Sequence, residues 1–324
     1  MRFAVTRDCG NGAVPFPTAF LLSEDRYTDM AEKIRKSIIA VALSAAVLLT
    51  LFSCALPNNT ADTSGSDNVE RIETLESVRE RIRYIIHGAG KLEGHNLYGE
   101  VKFFTCSNSL EGFRQCLEQD CEFVETDFSF TSDGELVCIH DWYPSYSDDI
   151  HFEGDALSLE AFMNTKIFRQ YTPVSLDMLA DMLKSNKRLF IITDIKDDNI
   201  GGLRYIAEKY PDLTGRFIAQ IYSESEYAHA RELGYDYIIY TLYRLDWNSK
   251  TDTERHRSFA ETNPLVGIAF SYELCEVPGF LDGMKKAGVP LFVHTVNDRE
   301  EQDMYFSMGI QGVYTDEVIG KQEK

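Results

Sequence analysis

The sequence predicts a (β/α)8 barrel of the TIM type. Three observations lead there: eight short runs rich in β-branched and aromatic residues, amphipathic segments between them, and glycines at several of the junctions. Such alternation over about 250 residues is the pattern of parallel strands joined by crossover helices.

Tyr84–His87 is the first predicted strand. The next helix opens at Asn108, with Glu111 three residues on as a capping box, and carries Leu110, Phe113 and Leu117 on the face that would meet the sheet. Phe123–Phe128 is the second strand. The turn-forming Thr131-Ser132-Asp133-Gly134 then sends Leu136–His140 back as the return arm of a hairpin rather than as a barrel strand. Residues 142–188 hold no clear strand and are expected to form a small helical insertion near the mouth. Leu189–Ile195 and Phe217–Ile221 are the third and fourth strands; Ser223 with Glu226 opens the following helix and Gly234 ends it. Tyr237–Leu242, Val266–Phe270 and Leu291–Thr295 continue the series, the last of them preceded by Gly288. Asp298 with Glu301 opens the final helix, Gly309 closes it, and Gly312–Thr315 completes the ring. An open doubly wound sheet is the competing arrangement, but no Gly-rich dinucleotide loop follows the first strand.

Ahead of the barrel the chain reads as an address. Ser37 to Ser53 is an apolar run too short for an ordinary membrane span, with Lys33, Arg35 and Lys36 on its N-terminal side. Leu51-Phe52-Ser53-Cys54 follows, then a polar stretch; this is similar to the lipobox of bacterial lipoproteins, whose cysteine is lipidated. Residues 1–54 are therefore expected to be a signal region with its true start at Met30, residues 55–80 a linker and entry helix, and residues 81–320 the barrel. Attachment through lipidated Cys54 would place the barrel outside the cytoplasm, on a bacterial membrane. An uncleaved anchor leads to the same side.

Composition narrows the function. The 324 residues carry 52 acidic and 32 basic side chains, a net charge of −20 with no basic stripe, which argues against a nucleic-acid partner. Seven cysteines show no Cys-x-x-Cys spacing, so neither a zinc ribbon nor a thioredoxin-type motif is supported. Cys9 and Cys54 precede the barrel, and the remaining five are odd in number.

In barrels of this type, chemistry collects where strands end at the C-terminal face. His87 closes the first strand. Glu125 and Asp127 leave the second with the two-residue spacing that points both side chains one way. His140 and Asp141 end the hairpin arm, and Asp194 and Lys196 close the third strand. Converging carboxylates repel unless a cation neutralises them, and hard oxygen ligands suit Ca2+ or Mg2+ better than zinc. Two imidazoles beside such an ion can split the work of proton acceptor and donor, and a lysine can stabilise a phosphoryl oxygen. Asn108 and Asp141 read as structural, Asn108 as a helix cap. The set as a whole reads as phosphoryl transfer.

The stretch from Val124 to Asp141, VETDFSFTSDGELVCIHD, resembles the signature of glycerophosphodiester phosphodiesterases. His87-Gly88-Ala89-Gly90 stands where that family has His-Arg-Gly, and Asn108-Ser109-Leu110 is similar to its Asn-Thr-Leu. Asp194-Ile195-Lys196 resembles its Glu-x-Lys, His294-Thr295-Val296-Asn297 its Trp-Thr-Val-Asn, and 310–316 its closing strand. The resemblance implies a barrel phosphodiesterase in which Glu125, Asp127 and Asp194 bind a divalent cation, His87 and His140 are general acid and base, and Lys196 contacts phosphate. Its substrate would be a phosphodiester small molecule or a lipid head group.

Three departures stand out: Gly88 removes an arginine able to grip phosphate in two places, Asp194 shortens a ligand, and His294 replaces a tryptophan. Lys91 is a candidate replacement for the lost charge. The first two departures also make the set similar to sphingomyelinase-D-type phospholipases, the second reading of function. A third is a surface lipoprotein that keeps the barrel as a non-catalytic binding scaffold.

Overall fold

The structure is a computed structural model and describes residues 73–142 and 155–320. The signal-like run, the start at Met30, Cys54 and most of the linker lie outside the described residues. Among the described residues no helix is long and apolar enough to cross a membrane.

The chain enters through α1 (Leu75–Arg81), capped by the Thr74 hydroxyl. After β1 (Tyr84–Ile86) comes a two-stranded antiparallel hairpin, β2 (Leu92–His95) and β3 (Val101–Phe104), then α2 (Leu110–Glu118). β4 (Phe123–Phe130) is followed by β5 (Leu136–Cys138), α3 (Leu159–Met163), β6 (Val174–Ser175) and α4 (Leu176–Ser185). β7 (Phe190–Ile195), α5 (Asn199–Lys209), β8 (Phe217–Ile221), α6 (Glu226–Glu232) and β9 (Ile238–Thr241) continue the alternation. Two helices, α7 (Trp247–Thr251) and α8 (Thr253–Thr262), lead to β10 (Gly267–Ser271). α9 (Phe280–Lys285), β11 (Leu291–His294), α10 (Arg299–Ser307) and β12 (Gly312–Thr315) complete the chain.

Eight of these strands run parallel in the order β1-β12-β11-β10-β9-β8-β7-β4, and a β1–β4 pairing closes the ring. β5 turns back antiparallel on β4, as the sequence predicts. The stretch 142–188 differs from expectation. Val174–Ser175 adds a short strand to β5, and α4 is the barrel's own crossover helix, burying Leu176, Leu179 and Leu183. Among the described residues of this stretch, those around α3 lie apart from the ring, with Phe162 packed on Val137 and Ile139.

Strand alternation separates two cores. Val124, Phe128, Ile191, Ile195 and Ala219 face outward into the shell shared with helix residues such as Leu179, Leu203 and Ile206. Phe123, Phe190, Ile192, Ile218, Ile239 and Phe292 fill the barrel interior, together with Val78 and Ile82 of α1. Farther along the same strands the inward positions turn polar: Glu125 and Asp127, then Asp194, Gln220, Thr241 and His294. An apolar plug at the N-terminal end thus gives way to a polar chamber at the C-terminal end.

Local signals explain most helix ends. Asp298 accepts from the amides of Glu300 and Glu301, and Gly234, Gly288 and Gly309 adopt left-handed φ of 91°, 67° and 91° where glycine costs least. Two capping expectations need correction. The α2 cap is Ser109, whose hydroxyl accepts from Gly112; Asn108 has a left-handed φ of 47° and turns its amide elsewhere. The residue at the head of α6 is Ser225, not Ser223, and Glu226 receives the Tyr222 amide instead.

Candidate active site

Register brings the acidic residues together. Asp127 on β4 lies directly opposite Asp194 on β7, and Glu125 sits two residues deeper on β4, facing the same side. Each offers an oxygen within 4.8 Å of the others, and exposures of 2%, 1% and 8% leave little water to separate their charges. Burial, with Asp127 beside it, pushes the Glu125 pKa up to about 8.

Lys196 relieves part of that repulsion. Its ammonium lies 2.6 Å from Asp127 and 2.8 Å from Asp194, and against the cost of burial these carboxylates hold it firmly charged. With Glu125 ionised as well, three carboxylates and one ammonium leave two negative charges in the cluster. An all-oxygen donor set with that residual charge fits one hard divalent cation.

Each carboxylate is also positioned by neutral donors. The Gly88 amide donates to Glu125 over 2.8 Å. Asn108 donates to Asp127 over 2.7 Å and accepts from the Asp127 amide over 3.0 Å, which accounts for its failure to cap α2. The hydroxyls of Tyr222 and Tyr243 both donate to Asp194, Tyr243 at 2.8 Å. Burial and the Asp194 charge push Tyr243 up to about 12, so it remains a donor.

Both predicted histidines face the same cavity of about 240 Å3, which Glu125, Asp194 and Lys196 also line. His87 Nδ1 is 2.8 Å from Asp316, whose second oxygen accepts from Asn297 over 2.7 Å. Burial opposes charging the His87 ring, but Asp316, helped by Cys106 and Glu125, holds its pKa well above the ordinary value. His140 Nδ1 lies 2.8 Å from Asp141, so the residue expected to be structural orients the second imidazole.

His294 also lines the cavity. Burial first, and His87 second, lower its pKa to about 4, so the ring is neutral. Lys91 does not replace the missing arginine: it pairs with Glu317 and lies over the Phe103 ring. Arg244, which sequence reading missed, stacks on Tyr222 and comes within 3.7 Å of Asp194. Tyr243 and Arg244 follow the fifth predicted strand directly, so the strand-end rule that found the other residues reaches them too. Asp316 follows the last strand in the same way.

Gly88 has a structural cause in this chain. A Cβ there, at φ 54°, would stand 2.4 Å from the Cys106 Cα, so a side chain at 88 requires Cys106 to move.

The profile of the glycerophosphoryl diester phosphodiesterase family matches residues 95–152 and 167–319. No curated protein sequence matches the chain. Solved structures do. One is a Silicibacter pomeroyi protein assigned as a glycerophosphoryl diester phosphodiesterase: 16% identity, TM-score 0.56, covering 75% of this chain and 93% of that one. A glycerophosphodiester phosphodiesterase from Parabacteroides distasonis is 18% identical, with TM-score 0.52 and coverage of 73% and 93%. An Oleispira antarctica phosphodiesterase, solved in complex with the product sn-glycerol-3-phosphate, is 17% identical, with TM-score 0.50 and coverage of 72% and 92%. These likenesses carry the fold, and the matched profile spans most of the barrel: the chain belongs to the glycerophosphoryl diester phosphodiesterase family and is a phosphoric diester hydrolase.

Proposed function

We propose that the chain hydrolyses a glycerophosphodiester, or a related lipid or polyol phosphodiester, with one bound Ca2+ or Mg2+ and two histidines in general acid–base roles. The observation that carries this reading is a single cavity lined by two imidazoles, one ammonium and two carboxylates, with Asp127 completing the carboxylate cluster. Glu125, Asp127 and Asp194 would hold the cation, which when bound supplies charge stabilisation to the phosphoryl oxygens.

The chain's own groups do the rest. Asp316 favours the protonated His87 ring, which makes His87 Nε2 the proton donor to the leaving oxygen. His140, oriented by Asp141, takes the proton of the attacking oxygen at its Nε2. Lys196 pairs with Asp127 and Asp194 and presents its remaining N–H toward a phosphoryl oxygen. Neutral His294 offers a ring nitrogen with no hydrogen-bond partner in the structure, suited to a substrate hydroxyl.

Glycerol phosphate bound to the Oleispira relative supports a glycerol-based substrate. Gly88 and Asp194 favour the second reading, a sphingomyelinase-D-type phospholipase. Product analysis separates the two. Full-length protein supplied with glycerophosphocholine, a lysophospholipid and sphingomyelin should release glycerol phosphate, whereas ceramide phosphate or a cyclic phosphate as the main product supports the phospholipase. Absence of turnover on every substrate with either cation leaves the binding scaffold. The same proposal holds residues 1–54 to be a lipoprotein signal region and Cys54 the lipidated residue, keeping the barrel outside the cytoplasm on a bacterial membrane. Incorporation of a labelled fatty acid that Cys54→Ala leaves unchanged would exclude it.

A further inference from the structure

We propose that His87, Cys106 and Asp316 form a second metal site, selective for zinc-like ions, and that Zn2+ bound there stops the enzyme by capturing its proton donor. The inhibitory half of this proposal rests on the role given to His87 above; the site itself does not.

The three side chains each offer a donor atom within 4.8 Å of the others. Cys106 Sγ lies 3.6 Å from His87 Nδ1, and Asp316 Oδ1 lies 2.8 Å from the same nitrogen. With Zn–S near 2.3 Å and Zn–N near 2.0 Å, a tetrahedral ion separates its sulfur and nitrogen ligands by about 3.5 Å. The S–Nδ1 distance is close to that value, but Cys106 Sγ also lies 3.8 Å from His87 Nε2, so the thiol has to swing toward the Nδ1 side of the ring to share an ion with it. The carboxylate has to withdraw by about half an ångström, since the proton it now shares with the ring would be replaced by a larger ion. Asn297 holds the other Asp316 oxygen over 2.7 Å and steadies the carboxylate as it does so.

Ligand chemistry separates this site from its neighbour. Glu125, Asp127 and Asp194 offer only hard oxygens, whereas sulfur, imidazole nitrogen and one carboxylate oxygen suit zinc. Three protein ligands leave a fourth position open to water. The arrangement also explains an otherwise costly backbone. Cys106 is a non-glycine residue held at φ 53°, and only the absence of a side chain at Gly88 lets it approach. The loss of the arginine and the arrival of a thiol on His87 are one structural event.

Binding balances simply. The thiol and the ring Nδ1 each release a proton to solvent, and the ion's two positive charges replace them, with no change of oxidation state. A ring fixed in this way no longer cycles a proton.

The test uses full-length protein with Ca2+ at saturation, so that the carboxylate site is filled. Stoichiometric Co2+, a spectroscopic stand-in for Zn2+, should produce a thiolate-to-metal charge-transfer band in the near ultraviolet. Zn2+ should abolish the band and lower phosphodiesterase activity at least tenfold. In Cys106→Ser the band should vanish, and half-inhibition should need at least tenfold more Zn2+. No band in the Ca2+-saturated wild type overturns the site, and so does a band that survives in Cys106→Ser. Inhibition relieved by excess Ca2+ overturns it as well, because zinc would then be acting at the carboxylates. If no phosphodiester is turned over at all, the proposed function fails while the cobalt band still decides the site. If Cys106→Ser does not fold, the wild-type band and its displacement by Zn2+ remain decisive.

Discussion

Replacing Asp316 with Asn tests the proton-donor assignment most directly. The substitution keeps size and hydrogen-bonding capacity but removes the charge 2.8 Å from His87 Nδ1. A hydrogen bond to a charged group is worth about 1.5–3 kcal/mol, and with the two side chains 26% and 11% exposed the discount for solvent is small. If that energy supports the protonated ring in the transition state, kcat should fall roughly 10- to 150-fold. The pH profile should move as well. In the wild type Asp316 outweighs burial and raises the His87 pKa; in the variant burial is left largely unopposed and the pKa drops. Activity that needs protonated His87 is lost as pH rises through this pKa, so the alkaline limb of kcat should shift to lower pH. Linkage has the same sign: the pair's contribution to stability is fully present below the ordinary histidine pKa and disappears as pH rises through the higher folded value. Steady-state kinetics across pH, with melting curves at each point, read both effects. A fall in kcat with the alkaline limb unmoved would refute the argument, since Asp316 would then only position the ring.

His140→Ala should lower kcat on the order of 100-fold or more while leaving the melting temperature nearly unchanged, as expected of a rim residue with a proton-transfer role; activity assays paired with calorimetry check this. Glu125→Gln removes one ligand and the most strained charge, so calorimetric affinity for Ca2+ or Mg2+ should fall while stability in chelator rises; equal stability in chelator would contradict the repulsion argument. Phe292→Ala opens the apolar plug and should cost about 3–5 kcal/mol by urea unfolding, far from any effect on the pH profile. Asn108→Ala breaks both of its bonds to Asp127 and should cost about 1–3 kcal/mol, with weaker cation binding as the diagnostic companion.

Much of this was legible in the linear chain because it rests on local rules. The eight ring strands are runs of buried β-formers; four site residues lie at or just past strand ends, and Glu125 and Asp127 lie within β4 with a spacing that survives folding, because alternation is a property of the strand itself. The short pieces were less legible. β2 and β3 contain Gly94 and end at a turn with Gly99, and β6 has only two residues, so neither carries a periodic signal. Capping failed at Asn108 because a buried carboxylate from another strand competes for its amide more strongly than its own helix does.

The amino-acid order alone determined the alternation of strands and helices, and which side chains could reach the open end of the ring. It did so through periodicity, which needs no partner. Tertiary structure decided which groups meet: Asp127 against Asp194 by β4–β7 register, Asp316 on a histidine 229 residues away, and a cysteine in the space left by Gly88. Those pairings depend on closing the barrel, and closure joins positions that sequence separation keeps apart.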